Sequence, residues 1–91
     1  GFLLNRALGV NRGMQIAQAA GLLQGTISAE QLGRQVYDSY RLARQDWANG
    51  YFDLDGFRAQ ALTGVFVSLA ADAAPTFRER LLRRIKKLAK I

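Results

Sequence analysis

Arg80, Arg83, Arg84 and Lys87 stand at intervals of three, four and seven residues from the first of them, which brings four cations to one side of a helix. Guanidinium and ammonium groups so placed bind anions: lipid headgroups, carboxylates, or the phosphates of a nucleic-acid backbone. Lys86 and Lys90 extend the set. The segment from Thr76 to Ile91 holds seven basic residues and one acid, whereas residues 1–75 hold six arginines against six acids, so the net charge of +6 resides wholly in this last segment. A neutral body with a cationic end points to an anionic partner.

The element that must position these cations is a helix. On a helical wheel Phe77, Leu81, Leu82, Ile85, Leu88 and Ala89 fall within about 140°, and Arg80, Arg83, Arg84, Lys86, Lys87 and Lys90 occupy roughly the opposite 160°. Thr76-Phe-Arg-Glu79 has the form of a capping box, which sets the expected start at Thr76. Such segregation suits an interfacial helix, whose apolar side enters the acyl boundary while its charges meet anionic headgroups. It equally suits a bundle helix that docks by its leucine side. The two are exclusive: if Leu81, Ile85 and Leu88 are buried, they cannot enter lipid without opening the bundle, and binding then rests on charge alone. Arg78 interrupts the apolar arc, and the segment has no Trp or Tyr to sit at headgroup depth. After Thr76 it also has no Asn, Gln, Ser or Thr beside the arginines, so base readout by this helix is not expected.

The body reads as further helices. Residues 2–24 carry Phe2, Leu3, Leu4, Ala7, Leu8 and Val10, then Met14, Ile16, Ala17, Ala20 and Leu23 at helical spacings, with a break expected near Gly9 to Asn11, Asn11 as a cap and Gly25 closing the end. Small residues recur at every fourth position from Gly9 through Gly13, Ala17, Gly21 and Gly25 to Ala29 and Gly33. Each step of four drifts by ~40°, so only about three consecutive members can share one close contact. Ser28-Ala-Glu-Gln31 is a capping box with Ile27 and Leu32 as its staple, and Leu32, Val36, Tyr40, Ala43 and Trp47 make one stripe. Asp38 and Arg41 form an expected i, i+3 pair worth ~0.3 kcal/mol. Asn49-Gly50 ends that helix and Asp53 caps the next, which from Phe57 to Ala71 is apolar nearly all round and is therefore expected to be a buried hub. Pro75 separates it from the cationic helix.

Several chemistries have no residues to carry them. The chain has no Cys and no His, so thiolate, imidazole-metal and histidine-based catalytic sites are not expected, and no cofactor or metal is called for. Around Asp53-Leu-Asp-Gly56 an EF-hand register fails, because it places Tyr51 and Leu62 where calcium needs carboxylates. Asp53 and Asp55 read instead as cap and dipole partners. A helix-turn-helix using the helix from Ser28, with Arg34, Gln35, Arg41 and Arg44 exposed, is weakened by Asp38 and Asp46. Among the central aromatics, Tyr40 and Trp47 are expected in the core, while Tyr37 or Tyr51 is available to a partner. Gly1-Phe-Leu-Leu lacks the basic start and small-residue cleavage site of a signal peptide, and the uncharged run Ala59–Ala71 is too short to span a bilayer, so neither signal peptide nor transmembrane helix is recognised and the compartment stays open. The missing initiator Met suggests processing, Met removal or an excised fragment.

These readings converge on an all-α bundle of four or five helices in one domain over residues 1–91, with a central apolar helix at about 54–72 and the basic amphipathic helix at about 76–90. The last segment is similar in character to cationic membrane-active peptides, and helical bacteriocins share the basic, cysteine-free, small-bundle composition. The expected function is a non-enzymatic binding module that presents the cationic helix to an anionic membrane surface. Two alternatives stand beside it: nucleic-acid binding through phosphate contacts, and a structural subunit whose basic helix faces an acidic protein surface. Oligomeric state is left open.

Overall fold

The computed structural model describes the backbone of residues 2–90 and the side-chain surroundings of residues 9–90. Four helices follow in order: α1 (Phe2–Ala19), α2 (Ala29–Ala48), α3 (Leu54–Ala70) and α4 (Pro75–Leu88). No strand occurs among the described residues. None of the described helices is long and apolar enough to cross a membrane.

Helix ends fall where local hydrogen bonding dictates. The Ser28 hydroxyl accepts from the Gln31 amide at 3.1 Å, and the Gln31 side chain accepts from the Ser28 amide at 3.4 Å, completing the expected capping box. Asp53 accepts from the Gly56 amide at 2.7 Å and starts α3. At the end of α2, Gly50 takes φ +82°, and the amides of Gly50 and Tyr51 donate to the carbonyls of Trp47 and Asp46 in a Schellman turn. The end of α1 has the same geometry, with Gly21 at φ +78° and the amides of Gly21 and Leu22 donating to Gln18 and Ala17. Gly21, not Gly25, therefore ends α1. The helix is also continuous through Gly9 to Asn11, so Asn11 caps nothing. The expected packing of Phe2, Leu3, Leu4, Ala7 and Leu8 lies outside the described side chains.

Among the described residues the helices pack in chain order, α1 on α2, α2 on α3 and α3 on α4, and the Cα atoms extend over 38 × 36 × 14 Å. The core comprises Met14, Leu23, Ala29, Leu32, Val36, Ala70, Ala73 and Leu81, with Ile27, Val65, Phe66, Leu69 and Phe77 against it. Central position does not make α3 buried. Its neighbours cover two of its sides, only Ala70 is buried, and Leu54, Leu62 and Val67 remain exposed. A helix flanked in a thin array has sides that no other helix reaches, which the all-round apolar pattern alone does not reveal. Among the described residues no large side chain is completely buried, so the array draws less than the full ~1.5–3 kcal/mol from each apolar group.

The recurring small residues do not form one ridge. A Cβ on Gly9, Gly13, Gly21 or Gly25 would meet open space, whereas one on Gly33 would come within 3.2 Å of the Asn11 Cα. Gly33 is where α1 and α2 approach most tightly among these positions. A second close approach lies outside the series: a Cβ on Gly64 would stand 2.7 Å from the Ser39 Cβ, at the α2–α3 contact.

Two connections meet beside the start of α4. Residues 20–28 and 71–74 join through an isolated antiparallel bridge between Leu23 and Ala73, with the Gln24 amide donating to the Asp72 carbonyl and the Ala74 amide to the Leu22 carbonyl, each at 2.8 Å. The buried Asp72 carboxylate accepts from the Ile27 amide at 3.0 Å, and the Gln24 side chain donates to the Ala73 carbonyl at 3.2 Å. This clasp fixes the direction in which the chain enters α4.

Candidate anion-binding face of the C-terminal helix

The start of α4 differs from the expected capping box. The N-cap is Ala74, in extended backbone at ψ 152°, with no side-chain hydrogen bond, and Pro75 occupies the first turn. Proline's fixed φ suits that position and its missing N–H costs nothing there. Thr76 is consequently inside the helix rather than at its cap.

The apolar side of α4 is docked. Leu81 is 4% exposed, Phe77, Ile85 and Leu88 are half-buried, and Leu82 lies open to solvent. Leu81 is therefore held in the core with Phe77 against it, while Ile85 and Leu88 keep part of their surface open. The six cations Arg80, Arg83, Arg84, Lys86, Lys87 and Lys90 are all exposed. Lys86 and Lys87 also fall in the last turn, where the helix dipole favours positive charge.

Four of these cations converge. Arg80, Arg83, Arg84 and Lys87 together line a shallow depression of about 200 Å³ that no other described residue lines, while Lys86 and Lys90 stand outside it. Glu79, the acid of this helix, lies about 90° round the axis from their mean direction. The ion pair present among the described residues is Arg34 with Asp38, at 3.2 Å, so no described carboxylate stands within ion-pair distance of the cations of α4. It also replaces the expected Asp38–Arg41 pair, because Arg34 reaches Asp38 across one turn at i, i+4. Chemically the face offers hydrogen-bond donors and positive charge, with no acceptor among its lining side chains.

A larger cleft of about 770 Å³ opens between α1, α2 and α3, lined among others by Asn11, Ile27, Leu32, Gln35 and Val67. Asn11 Oδ1 is buried without a hydrogen-bond partner. Its atom has no surface facing the cleft, so it offers nothing to a bound molecule. The sequence pattern gave no sign of this cleft, because its walls come from three helices.

Elsewhere the aromatics divide differently from expectation. Trp47 is 41% exposed and stacks on Phe57 at a 4.9 Å centroid distance and 12° between planes, with Tyr40 half-buried and 6.0 Å from the same ring. Trp47 thus caps the α2–α3 packing from outside because it stands in the last turn of α2, where, among the described residues, only α3 meets it. Tyr51 is 74% exposed and Tyr37 half-buried. Arg34, Gln35, Arg41 and Arg44 on α2 are exposed, but residues 20–28 separate α1 from α2, a longer connection than the three- or four-residue turn of a helix-turn-helix.

No protein-family model matches the chain, and comparison with curated proteins and with solved structures returns no match either.

Proposed function

We propose that the protein is a non-enzymatic helical binding module that holds the cationic face of α4 against an anionic membrane surface. The observation that supports this reading is the pairing of a docked apolar side, Leu81 foremost, with six exposed cations that form no ion pair with a described carboxylate. Because the leucine side is engaged, binding is electrostatic and peripheral. Each basic residue near an anionic leaflet contributes ~1 kcal/mol, and the attraction decays within a Debye length of about 8 Å at physiological ionic strength.

Co-sedimentation with liposomes tests the reading. The full chain is expected to pellet with vesicles containing anionic lipid, to remain in the supernatant with neutral vesicles, and to be released as salt rises. Equal recovery in the supernatant with both vesicle types ends the proposal. Retention of duplex DNA instead of vesicles, with a steep loss in salt, moves the same face to phosphate-backbone binding.

A further inference from the structure

Resting on that reading of α4, we infer that Arg80, Arg83, Arg84 and Lys87 form a cradle for one phosphomonoester group rather than a diffuse positive surface. The four residues sit at i, i+3, i+4 and i+7, so their side chains span ~10 Å of helix, and among the described residues they alone line the 200 Å³ depression. That volume equals roughly seven waters at ~30 Å³ each. The depression is open to solvent on its outer side, and its dense set of donors suits a compact anion with several oxygens.

The donor set narrows the class further. Three of the four residues are arginines, whose planar forks bind phosphate oxygens two at a time. A phosphomonoester presents three terminal oxygens and carries −1.5 to −2 charges near neutral pH. A phosphodiester presents two such oxygens and a single charge, so it leaves part of the cradle unpaired. Without an anion, each of the four cations also has like-charged neighbours three and four residues away, an arrangement that destabilises a helix. A dianion seated among them relieves that repulsion.

The test uses the full chain and two exposed double variants of equal charge: Arg80→Gln with Arg84→Gln inside the depression, and Lys86→Gln with Lys90→Gln outside it. Binding is measured to phosphatidylcholine vesicles carrying phosphatidic acid, a monoester, or phosphatidylglycerol, a diester, matched for total surface charge. Thermal stability is measured with and without inorganic pyrophosphate. The parent chain is expected to prefer the phosphatidic acid vesicles by about fivefold and to gain stability saturably with pyrophosphate. The Arg80/Arg84 variant should lose the preference, and the Lys86/Lys90 variant should weaken on both vesicles while keeping it. Equal binding to both vesicle types, or identical behaviour of the two variants, overturns the cradle and leaves the membrane reading standing. Pyrophosphate stabilisation that depends on Arg80 and Arg84, without vesicle binding, keeps the cradle and assigns it to a soluble phosphate. Failure of vesicles and pyrophosphate alike removes both proposals.

Discussion

The two ends of the helical array are closed by different physics. Where residues 20–28 meet residues 71–74, the chain is tied by backbone hydrogen bonds and by the Asp72 carboxylate on the Ile27 amide, over the buried Leu23 and Ala73. At the far end of α2 and α3, the link is a Schellman turn and the stack of Trp47 on Phe57, and Trp47, Tyr51 and Leu54 stay open to solvent. The charges differ as well. Asp46, Asp53 and Asp55 stand beside the aromatic tip in sequence, with Arg44 and Arg58 flanking them, whereas the clasp leads directly into the cationic helix. The contrast separates two structural tasks: the orientation of α4 depends on the clasp and on Leu81, and the tip serves the α2–α3 pair.

Leu81→Ala should break this picture most strongly. Leu81 is the buried residue of α4, and truncating a buried leucine costs about 2–4 kcal/mol. Chemical denaturation at constant m-value measures the loss; a cost below about 1 kcal/mol would mean that α4 is not held by its leucine side. Asp72→Ala comes next, at about 1–3 kcal/mol, because it leaves the Ile27 amide without its acceptor inside the clasp. Asp72→Asn keeps one carbonyl oxygen and should recover part of the stability. Trp47→Ala should cost about 1–1.5 kcal/mol, since the ring is stacked but not enclosed, and should leave vesicle binding unchanged. Vesicle binding that fell with Trp47→Ala at preserved stability would place the tip in the binding surface and dissolve the distinction between the ends.

How much of this was legible in advance follows the range of the interactions. Ser28, Asp53 and the Asn49-Gly50 pair announced their helix ends because a cap is a contact over three or four residues, and each was found where expected. The cationic arc of α4 was equally legible, because surface charges at helical spacing need no partner to define their face. Burial was less so. The apolar pattern of α3 specified a helix but could not say how many of its sides would be covered, and the count of neighbours is a property of the array. Asp72 gave no local signal: its role requires Ile27, distant in sequence, and nothing near Asp72 marks it out from the other acids. Gly33 stands in the small-residue series but nothing local distinguishes it from the other members, and Gly64 lies outside the series, since the tightness at both is set by Asn11 and Ser39 on other helices.

The smallest expected effect sharpens the account of the clasp. Thr76-Phe-Arg-Glu79 and Ser28-Ala-Glu-Gln31 share one pattern, yet the Ser28 hydroxyl caps its helix and Thr76 makes no cap hydrogen bond. Ser28→Ala should therefore cost about 1 kcal/mol, and Thr76→Ala no more than a few tenths. Here Pro75 does what a cap would otherwise do: it sets φ for the first turn and removes one unpaired amide, while the Ala74 amide is already bonded to the Leu22 carbonyl. Paired urea titrations of the two variants decide the point. A Thr76→Ala cost near that of Ser28→Ala would mean that the hydroxyl caps α4 after all. The helix would then begin two residues later, and the clasp would no longer set the direction in which Arg80, Arg83, Arg84 and Lys87 face.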